Sequence, residues 1–138
     1  MTQLGLHLGA APLAGAPTPA AQQELLTLLR EELQPLVVAN KLPQPFVVQP
    51  GLRLSRSWGN CRYLRGTAPV ISIRCTTDGA WRTRSAITLT LLHELAHLKY
   101  RSHGPRFWDL HRRLVDQATH AGLYHPHDDD AEIGRAHV

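Results

Sequence analysis

Apolar side chains recur at helical spacing in three stretches of the chain and at short, alternating spacing between the first and the second. Thr18-Pro19 opens the first helical stretch, with Thr as N-cap and Pro at the first helical position. Leu25, Leu26, Leu28, Leu29 and Leu33 follow at helical spacing, and Pro35 is the expected stop. Residues 36 to 57 read as short strands punctuated by Pro43, Pro45 and Pro50-Gly51; Phe46-Val48 and the alternating Leu52-Arg53-Leu54-Ser55-Arg56 are the β segments. Trp58-Gly59-Asn60 reads as a turn, Cys61 to Leu64 as extended chain before an Arg65-Gly66 turn, and Val70 to Arg74 as a strand. Ser85 can cap a second helix from Ala86 to about Lys99, with Leu89, Leu92 and Ala96 on one face. Gly104-Pro105 restarts a third, whose apolar face is Phe107, Leu110, Leu114, Val115 and Ala118 and which Gly122 can end. Trp108 is assigned to the core beside Phe107. The predicted fold is α+β: an N-terminal helix, a small three- to four-stranded, mostly antiparallel sheet, and two further helices. Residues 18–122 form the domain, flanked by a flexible arm over 1–17 and a polar tail over 123–138.

With 138 residues, 43 % of them hydrophobic, the chain suits one globular domain with a real core. No apolar run approaches the roughly 20 residues of a membrane span. The Ala- and Leu-rich N-terminus has no Lys or Arg before Arg30 and is broken by Pro and Gly, which argues against a signal peptide. Two cysteines, Cys61 and Cys75, make no disulfide framework and form no CxxC pair, so a reducing, cytoplasmic setting is expected, nucleoid-associated in a bacterium. The net charge of +4 conceals an asymmetry: residues 50 to 113 carry eleven Arg and one Lys against three acids, a local +9, and the remainder sums to −5. An arginine-dominated segment points to a polyanionic partner, because guanidinium binds phosphate bidentately. A well-solvated surface is the plainer alternative.

The chemistry concentrates in "HELAHLKYRSHGPRFW", residues 93 to 108. His93 and His97, four apart on a helix, project from one face at a spacing at which two imidazoles can share a zinc ion at about 2.0–2.1 Å. Glu94 sits beside the first ligand, placed to act as general base on water that zinc acidifies to a pKa of about 7. Leu91, Leu92, Leu95 and Leu98 frame these polar groups, a setting in which unpartnered histidines would be costly. A third ligand is needed. His103 lies six residues after His97, which in a continuing helix would place it about 120° around the axis, so the helix must end soon after His97 and the chain must turn back. No Gly or Pro lies within Leu98 to Ser102 to make that turn, and His111 is the next candidate.

The order of "SRSWGNC", "VISIRC", "TLLHELAHLKY" and "HGPRFW" resembles the SprT-like and YgjP-like zinc metallopeptidases over roughly residues 20 to 120. The resemblance implies a zincin-like fold, one zinc ion held by His93, His97 and His103, catalysis by Glu94, and action on proteins crosslinked to DNA, with DNA engaged near the cleft. The spacing also matches the metzincins, but Tyr100 stands where they have a turn glycine, and Met1 is the only methionine and so no Met-turn is available.

Tyr63, Tyr100 and Arg106 are candidate oxyanion or substrate contacts. In zincins the strand before the active-site helix can pair with an extended substrate, and Val70 to Arg74 is the candidate. Arg53, Arg56, Trp58, Arg62, Trp81, Arg82 and Arg84 are candidate DNA contacts, since tryptophans among arginines can stack bases over a basic groove, with single-stranded or junction-containing DNA favoured. His125, His127 and Asp128 to Asp130 read as a solvated tail rather than a second metal site. The function expected is hydrolysis of peptide bonds in DNA-bound proteins. The alternatives are a DNA-binding module with a structural zinc, and a general zinc peptidase indifferent to DNA.

Overall fold

The computed structural model describes residues 13–126. Most of the expected arm (1–12) and most of the expected tail (127–138, with His127 and Asp128 to Asp130) lie outside that range. The elements run α1 (Pro19–Ala39), β1 (Val47–Pro50), β2 (Gly59–Arg62), β3 (Val70–Ile73), β4 (Thr76–Thr77), β5 (Ala80–Trp81), α2 (Arg84–His97) and α3 (Pro105–His120). The architecture is α+β. β3 is central in a three-stranded sheet of order β1-β3-β2, antiparallel to β2 and parallel to β1; β4 and β5 form a separate antiparallel hairpin. Asp78 and Gly79, both at positive φ, make the hairpin's turn.

α1 begins as expected: the Thr18 hydroxyl accepts from the Ala21 amide at 3.1 Å, with Pro at the first position. It runs through Pro35 to Ala39 instead of stopping. Pro35 is exposed, so its lost hydrogen bond faces water, while Leu36 and Val37 behind it are buried and hold the last turn on the core. Asn40 closes the helix, its side-chain nitrogen donating to Leu36 and to Gln117 of α3.

Three other expectations change. Leu52 to Arg56 forms turns, not a strand: Leu54 N–H closes back on Gly51 at 3.2 Å, and an alternating pattern gains nothing without a partner strand. Gly59-Asn60 belongs to β2 and not to a turn, because the adjacent helix approaches so closely that only glycine fits. A Cβ at Gly59 would meet Thr90 Cγ2 at 2.9 Å and Glu94 Oε2 at 3.1 Å. The second helix is capped two residues earlier than expected, by the Thr83 hydroxyl accepting from Ala86 N–H at 3.1 Å.

Leu26, Leu29 and Leu33 of α1, Ile71 and Ile73 of β3, Ile87, Leu91 and Leu95 of α2, and Phe107 and Leu114 of α3 make one core, each worth about 1.5–3 kcal/mol of transfer free energy. α2 packs on β2 and β3 and against α3, with α1 along β1. Packing continues on either side of residues 18–122. Leu13 packs on the core, the Gly15 carbonyl accepts from Trp81 Nε1 at 3.0 Å, and Tyr124 is buried beyond Gly122.

Candidate metal centre and active-site cleft

α2 ends at His97, and the seven residues that follow return the chain to the helix face. The turn needs no glycine because its polar groups are met locally. The Lys99 and Tyr100 amides both donate to Ala96 C=O, at 3.1 and 3.0 Å, and His97 Nδ1 lies 3.0 Å from the Tyr100 carbonyl. His103 is thereby brought back. Its Nε2 lies 2.9 Å from His97 Nε2 and 3.3 Å from His93 Nε2.

Three ring nitrogens at such separations fit a shared cation. Ligand nitrogens at about 2.05 Å from a tetrahedral ion stand ~3.3 Å apart. The donor atoms of His93, His97 and His103 all lie within 4.8 Å of one another, and among the described residues they form one group able to hold a metal ion. Protonation favours the same role. Burial, then the neighbouring imidazoles of His111, His97 and His103, pushes the His93 pKa down to about 3, and burial lowers that of His97. Neutral imidazoles are the form that ligates. The His97 Nδ1–H donated to a backbone carbonyl leaves Nε2 as the lone-pair nitrogen, the usual second contact of a metal-binding histidine.

Phe107 wedges the rings: it stacks on His97 at 4.4 Å and meets His93 and His103 edge-on at 4.9 and 4.8 Å. Trp108, expected in the core, is 42 % exposed and stands at the rim, 5.5 Å from His103. Residues 107 and 108 project about 100° apart, so one helix cannot bury both against the same neighbour. His111, the alternative ligand, stacks on Phe107 and lies outside the trio.

Glu94 is 3 % exposed, and burial raises its pKa to about 7. It shares with the three histidines an open cavity of about 530 Å³, whose opposite wall is Gly59, Asn60, Cys61 and Tyr63 of the β2 segment. Ser57 and Arg101 complete the lining. The Arg101 guanidinium lies over the Tyr63 ring at 4.0 Å. The Tyr63 hydroxyl is buried beside the Cys61 thiol without a hydrogen bond of ordinary geometry; burial, then that thiol, raises its pKa. Of the other two candidate contacts, Tyr100 reaches the site through its backbone carbonyl alone, and Arg106 lines a separate hollow with Ser102 and Pro105.

β3, expected to pair with a substrate, has both edges occupied, by β1 and β2. The free edge beside the cavity belongs to β2. A motif search along the chain misses this, because strand order is set by pairing and not by chain order.

The candidate DNA contacts divide. Trp58 is 6 % exposed, with the guanidiniums of Arg82 and Arg74 over its ring at 4.1 and 4.5 Å, so it offers no face to a base. Arg82, 2 % exposed, donates to Arg74 C=O, Ala86 C=O and Thr90 Oγ1. Arg84 forms a two-point ion pair with Glu32 of α1, both contacts at 2.8 Å. Trp81 leans on the core and donates its N–H to Gly15. All four are engaged within the fold, Arg82, Arg84 and Trp81 by oxygen acceptors and Trp58 by the guanidiniums over its ring. Arg53, Arg56 and Arg62 remain exposed.

Solved structures of Wss1 share this fold. Wss1 from S. pombe superposes with a TM-score of 0.61 at 23 % identity, covering 80 % of this chain and 91 % of that one. Wss1 from Saccharomyces cerevisiae gives 0.55 at 21 % identity, covering 80 % and 89 %. At these identities the likeness is one of fold. No curated protein matches the sequence. The WLM domain matches residues 58–135, from Trp58 through the histidine trio and α3. The match spans more than half of the chain, which therefore belongs to the WLM domain family.

Proposed function

We propose that this chain is a zinc-dependent metallopeptidase of the SprT-like kind that hydrolyses peptide bonds in DNA-bound or DNA-crosslinked proteins. His93, His97 and His103 would hold one zinc ion, and Glu94 would be the general base. The observation that supports the reading is the convergence of three histidine nitrogens and a buried carboxylate on one open cavity beneath a free strand edge. Zinc bound there supplies Lewis acidity toward a peptide carbonyl and toward water. Glu94 takes the proton of the attacking water and returns it to the leaving amine. The β2 edge binds an extended substrate through backbone hydrogen bonds, which reads little of its sequence. Tyr63, which lines the cavity with its hydroxyl beside the Cys61 thiol, is the best placed of the candidate oxyanion donors. The DNA-directed part rests on the exposed arginines and on the family resemblance.

The test is proteolysis of a DNA-binding protein with no DNA, single-stranded DNA or duplex, wild type beside Glu94→Gln, with zinc content measured on both and on His103→Ala. Cleavage by wild type alone, stimulated by DNA, with zinc lost from His103→Ala and kept in Glu94→Gln, is expected. Cleavage that ignores DNA would leave a general peptidase. Stoichiometric zinc without cleavage under any condition would leave a binding module.

A further inference from the structure

The sheet has a second, polar face, where Gln49 Nε2 donates to Ser72 Oγ at 3.2 Å and Gln23 Nε2 to the Val48 carbonyl at 3.1 Å, while the Asn60 side-chain oxygen is left over. Strand register places Gln49, Ser72 and Asn60 side by side on β1, β3 and β2. Gly59 points its α-carbon toward α2, so by alternation Asn60 projects to the other side. There the row forms the floor of a separate cavity of about 570 Å³, walled by Gln23 of α1 and the turn at 50–54, with Arg53 and Arg62 at its mouth. The volume lies within the range of small-ligand pockets. Asn60 also lines the catalytic cleft, so the two cavities meet at one residue of β2.

Two features of this hollow point to a ligand. The Asn60 side-chain oxygen is buried without a hydrogen-bond partner, an arrangement that costs about 1–3 kcal/mol unless a donor arrives. Arg53 and Arg62 have no acidic partner among the described residues, so two bidentate donors stand open above an orphaned acceptor. Phosphates suit the guanidiniums. An N–H on the pairing edge of a base suits the amide oxygen, and every base carries one that a duplex conceals and an unpaired strand exposes. We propose that this cavity holds one unpaired nucleotide of a nucleic-acid strand, its flanking phosphates on Arg53 and Arg62 and its base on Asn60. The proposal rests on the DNA-directed part of the reading above and not on peptide hydrolysis. It gives that part a geometry: a strand seated on the outer face of the sheet would present attached protein to the cleft on the other side of β2.

Fluorescence anisotropy with a labelled thymidine 12-mer on the full chain tests it, beside an abasic 12-mer, a duplex, free thymidine monophosphate and a polyglutamate peptide as competitors. Arg53→Glu and Arg62→Glu should each weaken the 12-mer at least tenfold at low salt and flatten the salt dependence by about 0.7 for each phosphate no longer neutralised. Asn60→Ala should weaken the thymidine strand severalfold and leave the abasic strand and the duplex unchanged. Unchanged urea midpoints for the two arginine variants, a midpoint for Asn60→Ala no lower than that of wild type because the orphaned oxygen is gone, and unchanged hydrolysis of a DNA-free peptide by Arg53→Glu, are expected. Equal affinity of wild type and both arginine variants would overturn the proposal. So would competition by polyglutamate as strong as by the 12-mer, which would mark a carboxylate site, or by free thymidine monophosphate, which would mark a mononucleotide site. Binding of the 12-mer by a wild type that hydrolyses nothing would uphold the cavity while the peptidase reading fell; hydrolysis without binding would do the reverse.

Discussion

Arginines packed where β5 runs into α2 and arginines on the outer side of the three-stranded sheet meet opposite fates. In the first group, Arg82 reaches two carbonyls and a threonine hydroxyl, and the Trp58 ring lies against it and Arg74. Near it, Arg84 spans from α2 to Glu32 on α1. On the outer side, Arg53 and Arg62 stand at the mouth of a polar cavity, open to solvent. The residue type is the same and the sequence neighbourhood equally basic. What differs is whether oxygen acceptors lie within reach once the chain is folded. A guanidinium with five donors is drawn into the interior only where the backbone leaves carbonyls for it, as at the start of α2. Local charge density therefore overstates the surface available to a polyanion.

That contrast can be broken at four positions, read by urea unfolding. Arg82→Ala removes three donated hydrogen bonds from buried acceptors and the cation over Trp58, and should cost about 3 kcal/mol or more. A loss below about 1 kcal/mol would show that this arginine is not part of the packing. Gly59→Val drives a branched side chain into Thr90, Glu94 and the Ser72 carbonyl, and overpacking of this kind costs about 1–3 kcal/mol. Because Glu94 is one of the groups displaced, peptide hydrolysis should fall further than stability does, and equal losses in the two assays would separate Gly59 from the site. Arg84→Ala should cost roughly 0.5–1 kcal/mol, since its ion pair with Glu32 is partly exposed and screened, and raising the salt should shrink the difference from wild type. Arg53→Ala should lie within about 0.5 kcal/mol of wild type, as surface substitutions do. A larger cost there would mean that the outer arginines too are structural, and the contrast between the two groups would vanish.

The helices and the candidate metal-binding helix face were legible because their signals are local. His93, Glu94 and His97 lie within five residues, and a helix converts that spacing into one face whatever surrounds it. The caps at Thr18 and Gly104, and Gly122 at positive φ after α3, are likewise read within a turn of the chain. His103 lay one step beyond. Its spacing and the resemblance named it, but its return depended on a turn whose hydrogen bonds run to Ala96 and His97 rather than on any turn-forming residue. Other features could come only from pieces distant in sequence meeting: that β3 is central, that β2 offers the free edge, and that Gly59 admits Glu94. The same holds for Trp58 and Arg82, which read as a basic aromatic surface and fold into the interior. A sequence states which groups carry charge and which periodicity they follow. Which of those groups keep their solvent is decided when α2 and the strands close over one another, because desolvation acts through space and leaves no pattern along the chain.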